Sequence, residues 1–325
     1  MWRRKMRSAL TILGIAVGIY AFTVMGSMAA RFNKMIGGGK KFITGQITLA
    51  PKGTSFTSGA QGGMLPIDLL DRIAKVDGVE SAAPGIELAM NEPDPDNPTG
   101  GMSFGMPPTI EGMDLNRTAR NRNWETLDMK EGRMLEKGDP DDAIVIGISI
   151  ATDKKVGVGD TLAIRGRDFH IIGVVDQTLT GPDSYVFMPI TPARELFVAA
   201  NPFLKSLKEQ ADQTASITDA ALAKLPADVR AQVLEARTFK MENVNTGAAV
   251  AWKDGYDPDI VATAIKNQFK DEVMVLSPKA MGEQIDKASA IFNALILGSA
   301  LIALVVGGFS IINTMLMSIS ERTKE

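Results

Sequence analysis

The sequence has no cysteine and a single histidine, His170. Without cysteine no disulfide can staple the chain, so its folded part is held by an apolar core, whichever side of a membrane it occupies. A single imidazole rules out sites that need two or more, among them His-Glu-x-x-His zinc hydrolysis and three-His zinc centres. An excess of positive charge is also missing from the body of the chain. Of 35 basic and 38 acidic residues, Arg3, Arg4, Lys5 and Arg7 lie in the first seven, and Arg322 and Lys324 face Glu321 and Glu325 in the last five. The middle keeps 29 basic and 36 acidic residues, a net charge of about minus seven against plus four at the tip. Such a body cannot neutralise phosphates, and no nucleic acid is expected as a partner.

Catalytic and nucleotide-binding patterns are incomplete. Gly37-Gly38-Gly39-Lys40-Lys41 lacks the spaced first glycine and the Ser or Thr of a P-loop, and reads as a flexible exit from a membrane helix. Gly147-Ile148-Ser149-Ile150-Ala151 has alanine where a nucleophile elbow has glycine, and His170, on an expected strand, has no evident acid partner. Asp94, Asp96 and Asn97 sit in a proline-rich run without the glycine and glutamate of a calcium loop. Met102 and Met106, beside Met90 and Met113, could bind Cu(I), but methionine is common throughout, with 18 present. The expectation is a chain with no cofactor, no metal and no catalytic residues of its own.

Two long apolar runs dominate what is present. Residues 8–30 carry no charge over about 23 residues, which as helix reach about 34 Å and span a hydrocarbon core of ~30 Å. A cleaved signal peptide is the competing reading, with Ser27-Met28-Ala29 as its cleavage site. The length of the run, and the Gly14/Gly18 pair suited to close helix packing, favour retention. The second run, Ala288–Ser320, has about 33 residues without a charge, too long for a soluble core helix. Along it Ser299, Ala303 and Gly307 recur every fourth residue, a face on which another helix can approach closely. The basic tip should stay in the cytoplasm, so the first helix runs outward, the second returns, and both termini are cytoplasmic.

The expected fold is an α+β membrane protein: two transmembrane helices, 8–30 and 291–319, flank a large extracytoplasmic domain, 31–290. The basic tip covers 1–7, and 320–325 begin a cytoplasmic segment. Within the domain, Phe42–Ala50 reads as strand, Pro66 opens a short helix bearing Ile67, Leu70 and Ile73, and Val79–Leu88 is extended. The same pattern returns as extended Val244–Trp252, a helix begun by Asp257-Pro258, and extended Glu272–Leu276. These two units, about 40–90 and 241–280, imply a split α/β subdomain with an insertion of about 91–240. The insertion is β-rich at Ala143–Ile150, Thr161–Arg165, Phe169–Asp176 and Tyr185–Pro189, then helical to Arg237, where Pro226 kinks or divides it. Helical periodicity from Lys279 to Ala290 lets the second membrane helix continue as a rod into the outer domain.

The closing residues, from Gly307-Gly308-Phe309-Ser310-Ile311-Ile312-Asn313-Thr314-Met315 to Ser320-Glu321-Arg322-Thr323-Lys324-Glu325, closely resemble the second transmembrane helix of the MacB/FtsX-type ABC transporter permeases. Arg4-Lys5-Met6-Arg7-Ser8-Ala9-Leu10-Thr11-Ile12-Leu13-Gly14-Ile15 is similar to their first helix. Val156-Gly157-Val158-Gly159-Asp160-Thr161-Leu162 and Phe169–Val175 resemble their β-rich ectodomain. The resemblance implies a four-helix permease acting as a dimer, with a second copy or a paralogue, alongside a cytoplasmic ABC ATPase. It leaves room for an extracytoplasmic partner protein. Substrates of such systems are peptides, lipoproteins, antibiotics or signals for cell-wall hydrolases. Glu321, Arg322, Lys324 and Glu325 would begin the segment that couples to the ATPase, and the stop at Glu325 reads as a piece of a longer permease. The rival layout is a two-helix membrane sensor or receptor with an outer ligand-binding domain.

Overall fold

The computed structural model describes residues 2–54, 63–92, 107–117 and 127–322. It comprises two compact units, Met1–Gly38 with Glu283–Glu325, and Gly39–Gly282.

In chain order the elements are α1 (Trp2–Ile43), β1 (Ile47–Pro51), α2 (Ile67–Ile73), β2 (Val79–Ala89), β3 (Thr109–Met113), β4 (Met129–Gly132), β5 (Ala143–Gly147), α3 (Ile148–Lys154), β6 (Thr161–Ile164), β7 (Arg167–Val175), β8 (Tyr185–Pro189), α4 (Ile190–Ala200), α5 (Pro202–Thr214), α6 (Asp219–Leu222), α7 (Ala227–Ala236), β9 (Gly247–Trp252), α8 (Pro258–Phe269), β10 (Val273–Leu276) and α9 (Pro278–Arg322). The helices begin where local chemistry favours it. Asp257 accepts hydrogen bonds from the Asp259 and Ile260 N–H groups, and Asn201 from Phe203 and Leu204, each with proline in the first turn. Pro226 divides the helical stretch, standing between α6 and α7.

The Gly39–Gly282 unit is built on one sheet of order β10-β1-β9-β2-β3-β8-β5-β7-β4, with β6 added on β7. The split subdomain and its insertion therefore share a sheet rather than forming two. Strand β2 joins them: its residues Val79–Gly85 pair with β9 and Gly85–Ala89 pair with β3. Separate cores survive on one face. Ile47, Leu49, Val250 and Trp252 pack with Leu70 and Ile73 of α2 and with Val261, Ile265 and Phe269 of α8. Ile86, Ile110, Ile144, Ile146 and Met188 pack with Ala193, Leu196 and Phe197 of α4. Side chains of alternate parity, including Met113, Val145 and Phe187, build a smaller cluster on the other face.

Four local expectations need correction. Phe42 lies in α1, and the strand begins only at Ile47. Gly37–Gly39, expected as a flexible exit, are helical, because α1 runs on past the apolar stretch to Ile43. Strand β5 ends at Gly147, where the chain turns into α3; a Cβ there would stand 2.1 Å from the Pro182 carbonyl oxygen. Strand β9 starts at Gly247, after a short 3-10 turn at Met241–Asn243.

Candidate functional site

In the helical unit, α1 and α9 meet through two adjacent pairs. The rings of Phe32 and Phe292 lie 3.7 Å apart between centroids, and Asn293 Nδ2 donates to Asn33 Oδ1 at 3.0 Å. Partly covered residues are Gly18, Met25, Ala29, Phe32 and Ile36 on α1, and Ser289, Phe292, Ile296, Ala300, Ala303 and Gly307 on α9. Their spacings of three, four and seven place them along one stripe of each helix. Ala303 and Gly307 thus lie on one stripe. Ser299 is exposed, and its hydroxyl donates to its own helix at the Leu295 carbonyl.

Among the described residues nothing stands within 4 Å of where a Cβ would sit at Gly18 or Gly307. The side-chain surroundings of Gly14, Glu321 and Arg322, and all of Lys324 and Glu325, lie outside the described residues. So do Asp94, Asp96, Asn97, Met102 and Met106. Among the described residues one helical stretch, Pro278–Phe309, is long and apolar enough to cross a membrane.

The Gly39–Gly282 unit contains the end of α1 and the start of α9. Three residues separate α1 from β1, and Ser277 alone separates β10 from α9. Strands β1 and β10 are antiparallel neighbours, with Thr48 opposite Leu276. The start of α9 is anchored: the Ser277 hydroxyl accepts from the Ala280 N–H, and Asp259 Oδ1 accepts from the Lys279 N–H. The end of α1 is held by Thr44, whose N–H and hydroxyl both donate to the Lys40 carbonyl.

Two further polar groupings hold the α/β unit. Buried Asn245 donates to the Leu65 and Glu242 carbonyls and accepts from Arg194 Nη2 at 2.6 Å. Desolvation lowers the Arg194 pKa from its ordinary value, so the guanidinium depends on these partners. Glu111 stands opposite Glu87 across the β2–β3 ladder. Enclosure of the carboxyl pushes the Glu111 pKa up to about 8, with the like charge of Glu87 adding to the effect. Burial and the same two carboxylates raise the pKa of Tyr185.

The hydrolase pattern is not assembled. Ser149 follows the C-terminal end of β5, whereas His170 pairs with Ala143 at the other end of that strand, roughly 13 Å or more away at strand rise. His170 is exposed, lying 3.6 Å from Asp142 and 3.2 Å from the Thr161 hydroxyl. Met90 and Met113 are buried in different clusters.

Sequence reading missed Asn33, Asn293, Asn245 and the Glu87/Glu111 pair. Only Asn293 carried a local signal, as a strongly polar side chain inside an apolar run.

The fold is a mixed α/β sheet domain followed in the chain by a helix long and apolar enough to cross a membrane. The chain belongs to the MacB-like periplasmic core domain family, whose model matches residues 8–268. Relatives include an uncharacterized ABC transporter permease of Methanocaldococcus jannaschii, 25% identical over 206 residues and matching 61% of this chain and 41% of the relative. Another is the macrolide export ATP-binding/permease protein MacB of Rhodospirillum rubrum, 24% identical over 345 residues and matching 98% of this chain and 44% of the relative. The chain thus spans less than half the length of these relatives. Among solved structures, the periplasmic region of MacB from Actinobacillus actinomycetemcomitans matches with a TM-score of 0.42 and 15% identity, covering 75% of this chain and 93% of that one. The extracellular domain of the transporter YknZ from Gram-positive bacteria matches with a TM-score of 0.39 and 14% identity, covering 71% and 98%.

Proposed function

We propose that this chain is the permease part of an ABC transporter in which a partner cytoplasmic ATPase drives movement of the α/β domain outside the membrane. Both α1 and α9 cross the membrane, both termini are cytoplasmic, and the chain works with a second permease copy. It supplies no catalytic residue; its output is motion that serves export, lipoprotein handling or mechanical signalling. One observation carries the reading. The two long helices lead directly into β1 and out of β10, which are hydrogen-bonded neighbours, so a change in the helix pair has a short covalent route into the sheet. Family membership supports the same reading.

The orientation is tested with single cysteines in the cysteine-free chain. Ser206→Cys, at an exposed position, should react with an impermeant thiol reagent in cells or spheroplasts, and Ser8→Cys should not. Protection of the Ser206 site in both preparations overturns the topology. Co-purification of an ABC ATPase, with hydrolysis stimulated by the chain, tests the coupling itself.

A further inference from the structure

Among the described strands the β2–β3 ladder, five residue pairs from Gly85–Met113 to Ala89–Thr109, is the only pairing that joins the two halves of the sheet. At its centre Glu87 stands directly opposite Glu111. Side chains so placed have Cβ atoms about 4.5–5.5 Å apart, so two carboxyl groups can share a hydrogen bond, whereas two carboxylates can only repel. Among the described residues no cation is paired with either. The adjoining strands add one titratable group, Tyr185 of β8, whose pKa is raised by burial and by both carboxylates. Strand β9 carries no charge, and Glu80, the other acid of β2, stands about 23 Å away at strand rise. The surrounding charges are engaged elsewhere. Arg165, in the turn between β6 and β7, donates to the Ala89 and Asn91 carbonyls. On α4, which packs on the opposite face, Arg194 holds Asn245 and Glu195 holds Arg167. Beyond β3, Arg117 pairs with Asp71 and Asp114.

Glu87 is exposed, whereas Glu111 is partly covered, its Oε1 lying 3.9 Å from where a Cβ would stand on Gly85, over the bare backbone of β2. A proton can therefore pass between the pair and water. We propose that Glu87 and Glu111 together bind one proton at neutral pH, and that its release loosens the β2–β3 ladder, making the junction between the two halves of the sheet sensitive to pH. With the proton bound, the carboxyl O–H of one side chain donates to the carboxylate of the other. Once it leaves to water, two negative charges face each other across the ladder. Enclosure first, and then the like charge of Glu87, hold Glu111 at about 8 against an ordinary 4.5, and burial also raises Glu87. An opened ladder returns the carboxyl to water and to its ordinary value, so each unit of pH between the two favours opening by at most about tenfold. Any use of this junction in ATP-driven motion rests on the function proposed above, whereas the proton site does not.

The test is amide hydrogen exchange of the full chain in detergent at pH 6 and pH 8, corrected for the intrinsic exchange rate at each pH. Opening of Gly85–Ala89 and Thr109–Met113 should increase about tenfold between the two, because the partial exposure of Glu111 keeps the response well under its limit. The β1–β9 ladder should change less than about twofold. Glu111→Gln should remove the rise, and Glu87→Gln should cut it to about threefold or less. A flat response in the parent, a rise of parent size in Glu111→Gln, or an equal rise in β1–β9 overturns the proposal. A rise of parent size in Glu87→Gln would show that Glu111 titrates alone, and the shared proton would be wrong. No ATPase enters the measurement, so its outcome is separate from that of the coupling experiment.

Discussion

Glu87 on β2 and Glu111 on β3 occupy opposite positions in one antiparallel ladder, on the strand pair that joins the two halves of the sheet. Enclosure disfavours the ionised form of Glu111, and the like charge of Glu87 across the ladder adds to it, holding its pKa up at about 8. In the folded state this carboxyl binds its proton more tightly than it does unfolded. Its contribution to stability is therefore full below the unfolded value of roughly 4.5 and is lost as pH rises towards 8.

Glu111→Gln, which mimics the protonated form, should thus melt higher than the parent at pH 8 and close to it at pH 5. Glu111 keeps some contact with water, so the gain should be a few degrees rather than what the whole shift would imply. Thermal melts of the full chain in detergent at both pH values decide it. An equal difference at the two pH values would show that Glu111 does not titrate in this range.

Asn245 is fully buried, yet each side-chain atom able to hydrogen-bond has a partner: Nδ2 serves two carbonyls and Oδ1 receives Arg194. Its backbone oxygen also accepts from the Leu65 N–H at 3.0 Å. Asn245→Ala removes the carboxamide and leaves a desolvated guanidinium and two carbonyls short of a partner. We expect a loss of about 2–4 kcal/mol. Denaturant unfolding of the full chain measures this, and a loss under about 0.5 kcal/mol would show that water replaces the network without cost.

Ala303 and Gly307 lie on the partly covered stripe of α9, while Leu304 is 67% exposed. Among the described residues nothing lies within 4 Å of a Cβ at Gly307, which suits the approach of a helix from a second copy or from another part of the permease. Ala303→Leu and Gly307→Leu should weaken that association and lower stimulation of the partner ATPase, and Leu304→Ile should be nearly neutral. Membrane crosslinking between copies together with ATPase rates would report it. Equal tolerance of all three substitutions would place this stripe against lipid.

The sequence by itself determined the elements whose signals are local. Uninterrupted apolar residues marked the two long helices. Asp257-Pro258 marked the start of α8, and alternation marked Tyr185–Pro189 and Thr161–Ile164, because capping, helical pitch and strand pleat act within a few residues. The tertiary structure decided which of these meet. Asn245 reaches Leu65 across 180 positions, and β2 serves both halves of the sheet, since it is long enough to exchange one partner strand for another at Gly85. Nothing in the composition of β2 announces that exchange. Pairing of distant strands is selected by the shared burial of whole faces, and that free energy exists only once the chain has brought those faces together.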